Sequence, residues 1–535
     1  MATITYHYPG GIYPHQYNPP IAGMDYNASF GELVDLSTAT RLSTNSTAVL
    51  YGLDNGLKLK IIGTGLAFNA SGDAIAGTIS SIEVLLSNGT TSVMTIKDLN
   101  LSFETFHDAA AAAFDKWGFE EWLFNKSDTF NGSAGDDDLA GRAGNDILNG
   151  NDGDDHITGG EGDDTYDGGN GFDVLSYQDT YGTGTAIGGV KINATTGVAT
   201  DPYGFSESFK NFEEYRGTQF ADSFIGSAVD EAFMGLGGRD AIDGGAGVDT
   251  VRYDRDAQRG GNLGVSVNLT TGTAIDGFGS QDTLKNIENV RGTDANDAMT
   301  GSAVSNVLRG FAGNDALNGA GGADRMWGGH GNDIYVVDNT GDVVDESTDN
   351  GAGTDTVRSS ISFNLGNTTA VKGSFENLTL LGTANINGAG NALGNILNGN
   401  SGNNSLNGGA GNDVINGGLG NDTLTGSTGL DTFFFNTALN ATSNVDTING
   451  FTVADDTIRL ENAIFAAITG TGTLTTDQFA KNNTGLAADT SDRIIYETDT
   501  GKLFYDSNGS AAGGSIQFAT IDANIAVTSS DFFMV

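Results

Sequence analysis

The chain has 535 residues with 81 Gly, 5 Pro and no Cys, and 68 Asp+Glu against 24 Lys+Arg give a formal charge of -44. Such a surface excludes nucleic acid as a partner, because phosphate needs the opposite sign, and the missing cysteines exclude disulfides and thiolate metal sites. No apolar run reaches the ~20 residues of a transmembrane segment, and the N-terminus lacks the basic stretch and apolar run of a cleaved secretory signal.

Residues 1–130 read as a β-rich domain with one short helix. Strand-like runs occur at residues 57–62 and 81–86, and Asp108 with the alanines that follow favours a helix from about Phe106 to Phe124, bent near Gly118. Phe114, Trp117 and Trp122 on that helix are expected to cover the open end of whatever follows. Asp25, Glu32, Asp35, Glu120 and Glu121 are the carboxylates from which a hydrolase or lyase pair would be drawn, against the plainer reading of surface acids.

From Gly132 the chain is written in nines. Glycines open the units at Gly132, Gly141, Gly150, Gly159 and Gly168; the sixth residue is acidic (Asp137, Asp146, Asp155, Asp164, Asp173), and the eighth is apolar or aromatic (Leu139, Leu148, Ile157, Tyr166, Leu175). Glycines at positions 1, 2 and 4 suit tight turns with positive φ and close stacking. The apolar eighth residue lies in a strand too short to stand alone, so successive coils must bury it. Two nonapeptides per coil place acids 18 residues apart side by side, where they repel unless a hard cation such as Ca²⁺ joins them to turn carbonyls.

The register returns in residues 217–255 with Asp222, Glu231, Asp240 and Asp249, where the longer Glu231 is expected to weaken its site. It returns again in 292–340 with Asp297, Asp315, Asp324 and Asp333, Asn306 replacing one acid, and in 390–435 with Asp413, Asp422 and Asp431 after the metal-poor Asn395 and Asn404. The segments 181–216 and 256–291 repeat one another at an offset of 75 residues, and 341–389 is a divergent third version; they are expected to continue the solenoid in wider coils. Their aromatics Tyr203, Phe205 and Phe278 are expected to pack rather than bind carbohydrate.

These nonapeptides resemble the RTX (repeats-in-toxin, hemolysin-type calcium-binding repeat) family over roughly residues 131–535. The resemblance implies an all-β fold of parallel β-roll blocks with β-rich capping domains, multiple Ca²⁺ ions in the turns, and export by a type I secretion apparatus. Residues 436–535 resemble the C-terminal domain of serralysin-type proteases, carried by Asp446, Phe451, Asp455, Leu460, Gly501, Tyr505 and the ending Asp531 to Val535; this implies a cap and an export signal at the C-terminus.

No H-E-x-x-H and no G-x-S-x-G occurs, and His7, His15 and His107 lack metal-ligand spacing. The expected protein is therefore secreted, extracellular or cell-surface associated, not an enzyme, and folded by calcium. It would act as a surface-layer or matrix protein through self-assembly or extracellular polysaccharide. The alternative is a polysaccharide-active hydrolase or lyase with its site in residues 1–130.

Overall fold

The computed structural model describes residues 2–6, 39–53, 56–71, 73–112, 122–179, 186–347 and 353–535. The described residues are all-β apart from short helices, and their sheets are long stacks of parallel strands, as expected of a β-roll. It forms two compact units: residues 1–261 with 272–287, and residues 262–271 with 288–535.

In the first unit, strands Ala48–Gly52, Lys58–Phe68, Ala74–Leu85 and Ser92–Lys97 form an antiparallel meander. Thr3–Tyr6 is its pivot, pairing antiparallel with Ser92–Lys97 and parallel with Thr129–Asn131, which in turn pairs parallel with Ile147–Asp152. The meander sheet thus runs straight into the roll. The helix Phe103–Ala112 starts earlier than its sequence predicts and packs on Ala74–Leu85; its Phe103 and Phe106 are fully buried, Phe103 edge-on to Phe68 at 5.2 Å. Phe114, Trp117 and Gly118 lie outside the described residues. Trp122 stands 6.4 Å from Phe106, and Phe124 meets Phe130 edge-on at 5.5 Å, directly against the first coil.

The roll follows from the register. Leu139, Ile157 and Leu175 align across one sheet, and Phe130, Leu148 and Tyr166 across the other, and the five position-8 residues from Leu139 to Leu175 are all 0% exposed. Burying each such side chain contributes about 1.5–3 kcal/mol, which no single three-to-six-residue strand gains alone. Both files continue through the linking segment: Tyr166 pairs with Phe209 and Leu175 with Tyr215. The coil there widens from 18 residues to 43 and 40, the excess forming the hairpin of Lys191–Asn193 with Val198–Thr200.

In the second unit the same stacking runs from Asn289–Arg291 and Ala298–Ser302 through the third and fourth blocks. Thr356–Ser359 pairs with Ile334–Val337, and Asn377–Leu380 with Thr356–Ser359. At the C-terminal end Phe532–Met534 pairs parallel with Thr457–Leu460, and Ser515–Thr520 pairs parallel with Asp446–Asn449. Residues 472–520 thereby close the last coil with a small meander.

Glycine serves two purposes in the turns. The position-1 glycines have no positive φ, contrary to the expectation; a Cβ at Gly150 would collide with the Asp155 carboxylate and the Gly168 carbonyl. Position 4 combines both demands, since Gly162 has φ +140° and lies against the Gly144 carbonyl. Position 2 holds the strain: six of the ten described non-glycine residues with positive φ sit there (Arg142, Asn151, Leu236, Phe311, Ala320 and Ser427).

Candidate calcium sites

Within each unit the position-6 acids form files through the coils. In each file the backbone N–H of one acid donates to a carboxylate oxygen of the acid one coil on. Asp137 donates to Asp155 at 2.7 Å, Asp155 to Asp173 at 2.8 Å and Asp146 to Asp164 at 2.7 Å. Asp222 donates to Asp240 and Glu231 to Asp249. In the second unit Asp297 donates to Asp315, Asp315 to Asp333 and Asp413 to Asp431. Asp324 and Asp422 accept from Asn306 and Asn404.

The files run past the nonapeptides. Asp128 donates to Asp146 and Asp173 to Glu213; Asp240 donates to Asp282, Asp324 to Asp342 and Asp333 to Asp355, which donates to Glu376; Asp422 and Asp431 donate to Asp446 and Asp456. Sequence reasoning missed these eight acids because their spacings of 21, 22, 24, 25, 40 and 42 residues follow no repeat, and Asp128 and Asp342 lie outside the blocks as read.

One oxygen of each acid thus accepts a backbone N–H. The second is buried without a hydrogen-bond partner in Asp146, Asp155, Asp173, Asp240, Asp315, Asp324, Asp333, Asp413, Asp422 and Asp431. Burial pushes the carboxyls of Asp146, Asp155 and Asp315 up to about 8 and that of Asp240 up to about 9, and the like charge of neighbouring acids adds to this. The described lysine and arginine ion pairs serve other acids, as in Lys210–Asp167, Lys285–Asp243 and Arg252–Glu214. An array of orphaned, oxygen-only, uncompensated carboxylates fits a hard divalent cation.

The departures behave as their chemistry requires. Asn306 and Asn404 turn their amides onto the preceding coil, donating to the carbonyls of Glu288 and Ile386 at 2.6 Å each. Each thereby satisfies by hydrogen bond a position that is an orphaned carboxylate elsewhere in the files. Glu231 keeps its place in the file and spends its own carboxylate on the Ser227 N–H at 2.5 Å, as Asp137 does on that of Ser133.

Asp25, Glu32, Asp35, Glu120 and Glu121 lie outside the described residues, as do His7 and His15. Phe278 packs over Gly237 and Gly261, whereas Phe205 is 41% exposed. Among the described residues no helix is long and apolar enough to cross a membrane.

A family profile described as the RTX calcium-binding nonapeptide repeat (4 copies) matches residues 125–148, 141–175, 217–257, 291–326, 309–344 and 390–434. No curated protein matches the chain. Among solved structures, the crystal structure of the extracellular lipase LipA from Serratia marcescens is similar over 76% of this chain at 14% identity and a TM-score of 0.16, and the chain spans 40% of that lipase. A likeness of that size carries no argument about activity. The matched repeats coincide with the carboxylate files: over those residues the chain carries RTX calcium-binding nonapeptide repeats, which bind calcium at multiple sites.

Proposed function

We propose that the chain is a secreted, non-enzymatic protein that folds on meeting extracellular calcium and then serves as a structural or adhesive component of the cell surface or matrix. The observation that carries this reading is the set of buried carboxylate files, with Asp137, Asp146, Asp155, Asp164, Asp173, Asp222, Glu231, Asp240, Asp249, Asp297, Asp315, Asp324, Asp333, Asp413, Asp422 and Asp431 as the calcium ligands. Without a cation the files repel; with one, binding free energy becomes folding free energy. Sites of extracellular type, with Kd around 10⁻⁴ to 10⁻³ M, stay empty in the cytosol and fill outside.

Export before folding agrees with the burial of Phe532 and Met534 in the last sheet: an apparatus that reads the segment around them must do so while the chain is open. An open cleft of about 410 Å³ in the second unit, lined by Asn339, Asn364, Asn367, Asn387, Asn407 and Ser405 among others, offers amides and hydroxyls suited to a neutral polysaccharide.

The test is circular dichroism with light scattering on chelated protein titrated with Ca²⁺ and, separately, Mg²⁺. A disordered spectrum that turns β-rich with calcium alone, with rising scattering, is the expected result. A calcium-indifferent fold refutes the reading.

A further inference from the structure

Three acids converge at the end of the third block, two of them from outside the nonapeptide register. Asp333 closes the third block, but Glu346 and Asp355 belong to the linking segment after it, 13 and 22 residues on. Topology brings them together. Val343–Asp345 pairs parallel with Arg325–His330, carrying Glu346 alongside the last coil, and Thr356–Ser359 pairs with Ile334–Val337, setting Asp355 against Asp333. The Asp333 N–H donates to Asp355 Oδ1 at 2.9 Å.

One carboxylate oxygen from each of the three lies within 4.8 Å of the others, the one such group among the described residues. The residues are 0%, 5% and 2% exposed in the order Asp333, Glu346, Asp355. Glu346 Oε1 accepts from the Tyr335 hydroxyl, itself held by the Gly328 N–H at 2.7 Å. Glu346 Oε2 and Asp333 Oδ2 are buried with no hydrogen-bond partner, and no described ion pair reaches any of the three.

We infer that Asp333, Glu346 and Asp355 form a divalent-cation site of calcium type that locks the third linking segment onto the third block. Oxygens bound to one Ca²⁺ at about 2.4 Å stand at most about 4.8 Å apart, the limit these three meet. An all-oxygen set without His or Cys suits a hard cation, and three buried protein carboxylates suit Ca²⁺ better than Mg²⁺, which keeps several waters. The site differs in kind from the turn sites, because Glu346 enters from beside the file rather than from within it. The choice of calcium as the ion rests on the function proposed above; the cluster itself does not.

Two measurements on the full chain test it. Bound calcium is counted by equilibrium dialysis for wild type and Glu346→Gln, with far-UV spectra as a folding control. One ion fewer per chain in the variant is expected. An equal count overturns the inference and makes Glu346 a protonated acid held by Tyr335. Crystals of the wild-type chain grown with calcium give the second measurement, which stands if the variant does not fold. An anomalous peak within about 2.4 Å of all three carboxylates is expected. Peaks in the nonapeptide turns with none at the three acids overturn this inference alone, whereas no peak anywhere overturns the calcium-folding reading with it.

Discussion

Asp146→Asn probes the files most directly. Asp146 is 1% exposed, accepts the Asp128 N–H, donates to Asp164, and has its carboxyl pushed up to about 8 by burial, against an ordinary value of 3.8. The metal-free fold at pH 7 must therefore take up a proton there that the unfolded chain does not bind, at a cost of up to about 4 kcal/mol, at about 1.4 kcal/mol for each pH unit between 3.8 and 7. Asparagine removes that cost and retains an acceptor for Asp128, and Asn306 and Asn404 show where its amide can turn. In chelator the variant is expected to be more stable than wild type by up to that amount. Calcium at about 100 times Kd adds about 2.7 kcal/mol per ion, and Asp146 borders two neighbours in its file. The gain from calcium should therefore shrink by roughly 3 to 5 kcal/mol in the variant. Denaturant unfolding of both proteins, with and without calcium, measures all four stabilities. An equal calcium gain, or a variant less stable in chelator, refutes the argument.

The metal-free chain should lose stability as pH rises. Asp146, Asp155 and Asp315 near 8 and Asp240 near 9 have folded values above the unfolded one, so the folded state binds the extra protons between about pH 4 and 9 and is favoured at the acid end. Far-UV spectra in chelator should be β-rich near pH 5 and open toward pH 8.5, while calcium affinity, which requires those protons to leave, rises over the same range; the opposite trend in chelator refutes the assignment. Leu148→Ala, at a fully buried position between Phe130 and Tyr166, should cost about 2–5 kcal/mol in calcium, whereas Ile147→Ala, 39% exposed next to it, should cost well under half as much by the same unfolding measurement. Gly150→Ala should lower calcium affinity measured by titration, because its methyl group occupies the space of the Asp155 carboxylate and the Gly168 carbonyl; unchanged affinity would show that the turn relaxes freely.

The nonapeptide is legible because one short unit carries its whole structural logic. A glycine, an acid five residues later and an apolar residue two beyond that specify a turn, a file and a core position, and a constant 18-residue coil brings like to like. All sixteen position-6 acids named from the sequence are buried, as that logic requires. At the first glycine only the close-stacking half of the expectation holds: crowding by the neighbouring carboxylate and carbonyl, not positive φ, excludes a side chain there.

Sequence by itself determined the all-β roll, its repeat and the residue types in its files, because these depend on contacts at fixed short spacing. Tertiary structure decided where the widened coils return. Glu213, Asp282, Asp355 and Asp456 enter the files at separations of 40, 42, 22 and 25 residues. Those separations are set by which strand pairs in parallel with which across an inserted loop or hairpin. The same cause brings Glu346 beside Asp333 under Tyr335: parallel pairing ignores the length of the chain between two strands, so no spacing rule predicts the meeting.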